Sequence, residues 1–261
     1  MDFKSPLLIA ISITLVLVIL SEAKQFLLFH PNKKYIADIP TNVKEFFVKG
    51  RKQNNICVWL YSAGEEAPII LLAHGNAGNV SNRINIINNC MLRGLSICIF
   101  DYRGYGKSTG KTTIESIFYD IEDVYKYMIR DLKYKKEQII IAGESIGSYP
   151  AAKLANKYQN DKLIILYGLH SLSLTTKHLY PLLYPFIKLF VSKDLRVYKE
   201  LETYNGNTLI IHSKEDRIVN YNNAIENSKI KTNGNIKLVT ITGGHNDPNI
   251  DWEAINQFVK S

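Results

Sequence analysis

The chain has 261 residues, a length that suits one domain with a short terminal segment rather than several domains. Its 32 Lys and Arg against 24 Asp and Glu leave a net charge of +8, yet no nucleic-acid motif accompanies that surplus. The cysteines Cys57, Cys90 and Cys98 are odd in number and have no metal spacing, so no disulfide framework or metal is implied.

The first element in chain order is an apolar run over residues 6–20, interrupted only by Ser12 and Thr14. Flanking serines and lysines extend it, so residues 1–24 are expected to form an N-terminal membrane anchor. A cleaved signal peptide is the rival, because Ser21 and Ala23 sit at the small-residue positions of a cleavage site. The charge distribution agrees with a membrane-facing surface: residues 1–52 carry eight Lys or Arg and four Asp or Glu. Lys4 precedes the run while Lys24, Lys33 and Lys34 follow it, so the positive-inside rule sets no orientation.

Residues 25–261 are expected to form one α/β domain. Residues 43–48 and 55–61 alternate polar and apolar side chains around Lys49-Gly50-Arg51, the pattern of an antiparallel edge hairpin. Residues 68–73 read as a buried strand that runs into His74-Gly75-Asn76-Ala77-Gly78-Asn79. Such small residues let backbone N–H groups approach a ligand. The loop lacks the Gly-Lys-Ser/Thr ending of a phosphate-binding turn and any Gly-x-Gly-x-x-Gly spacing. A helix follows over residues 79–93 and stops at Gly94, then a strand over residues 95–100. Thr112 and Glu115 have the spacing of a capping box that opens an amphipathic helix through Met128. Residues 138–142 and 163–167 are further strands. Between them, residues 148–158 read as a helix. Leu179, Leu182, Leu183, Phe186, Ile187, Leu189 and Phe190 then cluster in an insertion at about 169–206. This cap reads either as an ordinary helix over the sheet edge or as an apolar lid beside the site, suited to an acyl chain. Strands over residues 208–212 and 236–241 come last, and Asp247-Pro248 is expected to start the final helix. Alternation of this kind predicts a mostly parallel sheet covered on both faces.

The chemistry is concentrated in Gly143-Glu144-Ser145-Ile146-Gly147, which joins the strand ending at Ala142 to the helix starting at Ser148. A Gly-x-Ser-x-Gly turn between strand and helix is a nucleophile elbow. Asp216 follows one downstream strand and His245 follows the last, giving the chain order Ser, Asp, His of α/β-hydrolases. A serine hydroxyl becomes nucleophilic only when a base takes its proton, and a carboxylate fixes the tautomer of that base. Glu215 is the alternative acid, but Asp216 has the favoured spacing before Ile218-Val219. His74 and His212 close apolar strands and read as structural, whereas His245 alone follows the last strand after a glycine pair. The N–H of Ile146 and one from the His74–Asn79 loop are the candidate oxyanion donors.

Four separated motifs carry a resemblance. They are His74-Gly75-Asn76-Ala77-Gly78-Asn79, Asp101-Tyr102-Arg103-Gly104-Tyr105-Gly106-Lys107-Ser108, Gly143 through Pro150, and Gly244-His245-Asn246-Asp247. In this order they resemble the BEM46-type α/β-hydrolases, the group that includes α/β-hydrolase domain proteins 13 and 17. The resemblance implies an α/β-hydrolase fold with Ser145 as nucleophile, Asp216 and His245 as acid and base, and Asn76 and Ile146 as backbone donors. It implies no cofactor and no metal. Two departures are visible: Glu144 stands where these proteins usually have Gln or Arg, and Ser213 replaces a common Gly before the acid. A carboxylate beside the nucleophile is expected to disfavour anionic substrates.

These readings converge on a membrane-tethered serine hydrolase of carboxylic esters or thioesters, acting on an acyl-protein, a lipid or a small-molecule ester. Lysophospholipase or peptidase action on the same triad is the alternative. A catalytically silent membrane scaffold is the non-enzymatic one. Asn79-Val80-Ser81 is a glycosylation acceptor beside the loop, where a glycan would obstruct the site.

Overall fold

The computed structural model describes residues 25, 26 and 28–261, so the expected anchor over residues 1–24 lies outside the described residues. Ten strands follow in chain order: β1 (His30–Pro31), β2 (Lys44–Lys49), β3 (Asn55–Tyr61), β4 (Ile69–Ala73) and β5 (Ala77–Gly78). Next come β6 (Ser96–Phe100), β7 (Ile139–Glu144), β8 (Lys162–Leu166), β9 (Asn207–Ser213) and β10 (Ile236–Ile241). The helices are α1 (Ile84–Leu92), α2 (Ile114–Arg130), α3 (Ser148–Tyr158), α4 (Leu172–Leu179), α5 (Tyr184–Val191), α6 (Val197–Leu201), α7 (Asn222–Ser228) and α8 (Trp252–Lys260).

Eight strands form one sheet in the order β10-β9-β8-β7-β4-β6-β3-β2. All neighbours pair in parallel except at β3, which runs antiparallel to both β2 and β6, as the hairpin pattern predicts. The central strands are apolar on both faces because helices cover both. Along β4, Ile69, Leu71 and Ala73 join one core with α2 and α3, while Ile70 and Leu72 join the other with α1 and α8. β1 and β5 form a separate two-stranded parallel pair that ties the segment at His30 to the loop after β4.

Three helix starts differ from the sequence reading. The helix expected from residue 79 begins at Ile84, because Val80–Arg83 forms a 3-10 turn capped by the Asn79 side chain. The N-cap of α2 is Thr113, whose hydroxyl accepts from Ser116 N at 3.0 Å, because Thr112 is diverted to donate to Arg103 O at 2.5 Å. The last helix begins at Trp252, with Asp251 as its cap accepting from Ala254 N at 2.9 Å. Asp247-Pro248 instead lies in the loop that carries His245.

The elbow requires a close approach to the sheet. A Cβ on Gly147 would sit 2.1 Å from the carbonyl oxygen of Ala73 in β4, and one on Gly143 would sit 2.4 Å from Gly147 O. By contrast Gly94, at φ +64°, has nothing within 4 Å of the position its Cβ would take. Gly94→Ala is therefore expected to lose about 1–2 kcal/mol from left-handed strain alone. Gly147→Ala must also push back a strand, and is expected to lose clearly more. Urea titration of both variants measures the difference; equal losses contradict the close-approach account.

Candidate active site

Ser145 stands at the carboxyl end of β7 in a 3-10 turn, Ser145–Gly147, at φ +52°. A non-glycine residue in that left-handed region stores about 1–3 kcal/mol of strain, held there by the surrounding structure. Part of the hold is Ser148, whose hydroxyl donates to Ser145 O at 2.6 Å and accepts from Leu169 N at 3.0 Å. The elbow is thus tied to the first residues of the cap.

The structure brings Ser145, His245 and Asp216 together from three strand ends. Ser145 Oγ lies 2.9 Å from His245 Nε2, and His245 Nδ1 lies 2.6 Å from Asp216 Oδ2. A carboxylate can only accept, so Nδ1 carries the hydrogen and Nε2 is left to accept from the serine hydroxyl. The other oxygen, Oδ1, accepts from Ile218 N at 2.9 Å and Val219 N at 2.8 Å. Burial works against the charge of Asp216, but His212, His245 and the backbone donors outweigh it and hold the carboxyl below the usual carboxylate range. Glu215, the neighbouring acid, points elsewhere and accepts from Gly243 N at 3.0 Å, bracing the turn that presents His245. Tyr167, after β8, packs edge-on to the imidazole at 5.4 Å.

The loop after β4 is held by side chains that sequence reading passed over. Arg83 pairs with Glu144 through Nε at 3.0 Å and Nη2 at 3.1 Å, and also donates to Ala77 O at 2.5 Å. Glu144 in turn accepts from Gly75 N at 3.1 Å. The residue beside Ser145 is therefore a brace across the loop, and its charge is met by a buried guanidinium. That overturns the expectation that Glu144 repels anionic substrates. Asn76 is fixed through its side chain, Oδ1 accepting from His30 N at 3.0 Å and from the Tyr105 hydroxyl at 3.1 Å. Among the described residues no hydrogen bond takes up the Asn76 N–H. Ile146 is the second residue of its turn, where helical N–H groups have no intrahelical acceptor. Asp101, from the second motif, accepts from Val80 N at 2.8 Å and from the Tyr35 hydroxyl at 2.7 Å, anchoring the far end of the same loop.

His74 and His212 are structural. His74 is fully buried, bonds Gly75 O through Nδ1 at 2.7 Å, and is pushed down to about 3 by burial and by Arg83. His212 bonds Val219 O through Nε2 at 2.7 Å. The glycosylation acceptor is closed: Asn79 is fully buried, and its Nδ2 donates to Asn32 O and Lys34 O at 3.0 and 2.8 Å. Among the described residues no cluster of three His, Cys, Asp or Glu side chains could hold a metal ion.

A cavity of about 870 Å³ opens at His245, lined by polar and charged groups that include His178 from the cap, Lys214, Arg217 and Asn246. None of the cap's apolar cluster lines it. Leu182, Phe186 and Leu189 are instead 87, 79 and 85% exposed. These side chains therefore stand in solvent and do not line that cavity, while Tyr184 and Val191 of the same helix pack on the core.

The charge balance sets a pH dependence. Burial opposes the Glu144 charge, but Arg83 and the Gly75 N–H outweigh it, so Glu144, like Asp216, is held below its ordinary value. The unfolded chain then binds more protons than the folded one in acid. This stabilisation is fully present above the ordinary carboxylate values near 4 and is lost as pH falls through the depressed folded values. Glu144→Gln is expected to lose about 3–5 kcal/mol near pH 7, since it leaves Arg83 buried without its partner. Its stability should then fall less steeply than wild type below about pH 5. Thermal melts across that range provide the check; parallel curves contradict the assigned pairing.

Similarity to known proteins agrees with this geometry. The alpha/beta hydrolase fold family matches residues 68–201, just over half of the chain, a span that includes the elbow and ends before Asp216 and His245. An uncharacterized protein of Acanthamoeba polyphaga mimivirus is 28% identical over 265 residues, covering 89% of each chain. Alpha/beta hydrolase domain-containing protein 17C of Mus musculus is 25% identical over 226 residues, covering 83% of this chain and 68% of that one. Among solved structures, the Pyrococcus furiosus esterase Pf2001 superposes with a TM-score of 0.71 at 17% identity, over 89% of this chain and 97% of its own. Est1E from Butyrivibrio proteoclasticus, solved with ferulic acid bound, gives 0.67 at 20% identity over 82% and 96%. With the sheet order, the elbow and the matched span in agreement, the chain belongs to the α/β-hydrolase fold family and is a hydrolase.

Proposed function

We propose that the protein cleaves carboxylic esters or thioesters through Ser145, His245 and Asp216. The observation that carries this reading is the unbroken hydrogen-bonded chain, 2.9 Å from serine to imidazole and 2.6 Å from imidazole to carboxylate. Ser145 Oγ attacks the carbonyl carbon while His245 Nε2 takes its proton. Asp216, kept ionised by its donors, holds the imidazole in the accepting tautomer and stabilises the imidazolium. The N–H groups of Asn76 and Ile146 meet the negative charge that develops on the carbonyl oxygen. His245 then protonates the leaving alcohol or thiol, and water, activated by the same imidazole, releases the acid from the acyl-enzyme.

Residues 25–261 form the hydrolase domain, with the cap over about 169–206, and residues 1–24 tether it to a membrane. Resemblance to the domain 17 proteins favours an acyl-protein or lipid ester as substrate. Among the described residues no helix is long and apolar enough to cross a membrane, so this part of the reading rests on the apolar run at residues 6–20.

Ser145→Ala is expected to abolish labelling by a fluorophosphonate probe and to lower turnover of a soluble ester by up to about 10⁶-fold, with the fold intact by circular dichroism. His245→Ala should come close to that loss, because triad members act as a unit. Labelling that survives in the folded Ser145→Ala protein removes the serine from its role.

A further inference from the structure

The outer face of the cap is a feature that the proposed chemistry leaves unused. Leu182, Phe186 and Leu189 follow one another at four and three residues, so they share one side of α5 and the turn before it. Leu183 and Tyr180, 58 and 55% exposed, widen the patch. Contiguous large apolar side chains of this kind mark an interaction surface rather than an ordinary solvated helix. Their chemical setting is specific. Residues 169–193 hold Lys177, Lys188 and Lys193 and not a single Asp or Glu. Asp194, Glu200 and Glu202 come only later in the cap, so the apolar stripe is flanked in sequence by lysines, which matches a helix that lies in the interface of an anionic bilayer.

Topology supplies an independent argument. The Ile114 N–H at the start of α2 donates to the Gln25 side chain at 3.1 Å. That position follows the loop leaving the carboxyl end of β6, while the cap leaves the carboxyl end of β8, and the two strands run parallel in one sheet. The chain carrying the apolar run of residues 6–20 therefore enters the described fold at the end of the sheet that bears the cap and the Ser145 site.

We propose that the Leu182, Phe186 and Leu189 face is a bilayer-docking surface. It seats the cap in an anionic membrane interface, with its lysines among the headgroups, and turns the carboxyl end of the sheet toward the lipid. This contact is additional to the tether in the proposed function and rests on that membrane reading only for the first attachment.

The test uses the full chain with one introduced thiol. Cys57, Cys90 and Cys98 are fully buried, and burial pushes the Cys57 and Cys90 thiols up to about 12 and that of Cys98 further, so Leu189→Cys is labelled selectively. Lys231→Cys, in the exposed loop before β10 at the opposite end of the sheet, is the control. Each protein carries a polarity-sensitive fluorophore and is mixed with vesicles of phosphatidylcholine and phosphatidylserine, with and without a brominated lipid. The expected result is a blue shift and loss of emission to the brominated lipid at position 189 and neither at 231. A blue shift at 189 without that loss means that protein covers the face, either residues 1–24 or a second copy, and overturns the proposal. No change at 189 leaves the face in water and overturns it too. Hydrolysis of a soluble ester by the same labelled proteins reports on Ser145 separately, and flotation with the vesicles reports on the tether.

Discussion

The approach of β7 to β4 at the elbow is the constraint on which the site depends. Gly147 lies against the backbone of Ala73 and His74, with no room for even a methyl group. That contact forces Ser145 to φ +52° and lifts it off the end of the sheet. The same contact brings the Gly75–Asn79 loop beside the serine, since that loop is the direct continuation of β4. Ser145 and the candidate oxyanion donors are thereby set by one backbone packing event rather than by separate adjustments.

Packing alone would leave a glycine-rich loop loose, and buried polar groups supply the rest of the order. The Arg83–Glu144 pair spans the loop from its base to the elbow, gripping Gly75 N and Ala77 O. Asp101 holds Val80 N, while Tyr105 and His30 hold the Asn76 side chain. A pair this deeply buried does little for net stability compared with apolar residues of the same shape, but losing one partner is costly. Its use here is placement: it fixes where Gly75 and the amide after it sit relative to Ser145.

Much of this was legible in the sequence, for identifiable reasons. Buried parallel strands announce themselves as short apolar runs, and residues 68–73, 138–142 and 208–212 each proved to be one. That Ser145, Asp216 and His245 come together in space was legible because an elbow and strand-end loops constrain residue type tightly. The braces were not. Arg83 reads as an ordinary helix-surface residue until the fold sets it 61 positions from Glu144 in sequence and within hydrogen-bond reach in space. The role of Asp101 is hidden for the same reason, although its motif was recognised. Helix starts shifted where a side chain had a better long-range partner, as Thr112 does with Arg103 O. The surroundings of the cap were not legible, because hydrophobic periodicity says that a face is apolar and not what covers it.

The account stands or falls on whether Ser145 carries the acyl group. A rapid-quench reaction with a slowly released ester, followed by peptide mass mapping, tests this most directly. The predicted result is a transient acyl adduct on Ser145 that decays as product forms, and that fails to form on the same timescale in a folded protein whose His245 has been replaced. An adduct on any other residue, or turnover with no covalent species at all, contradicts it.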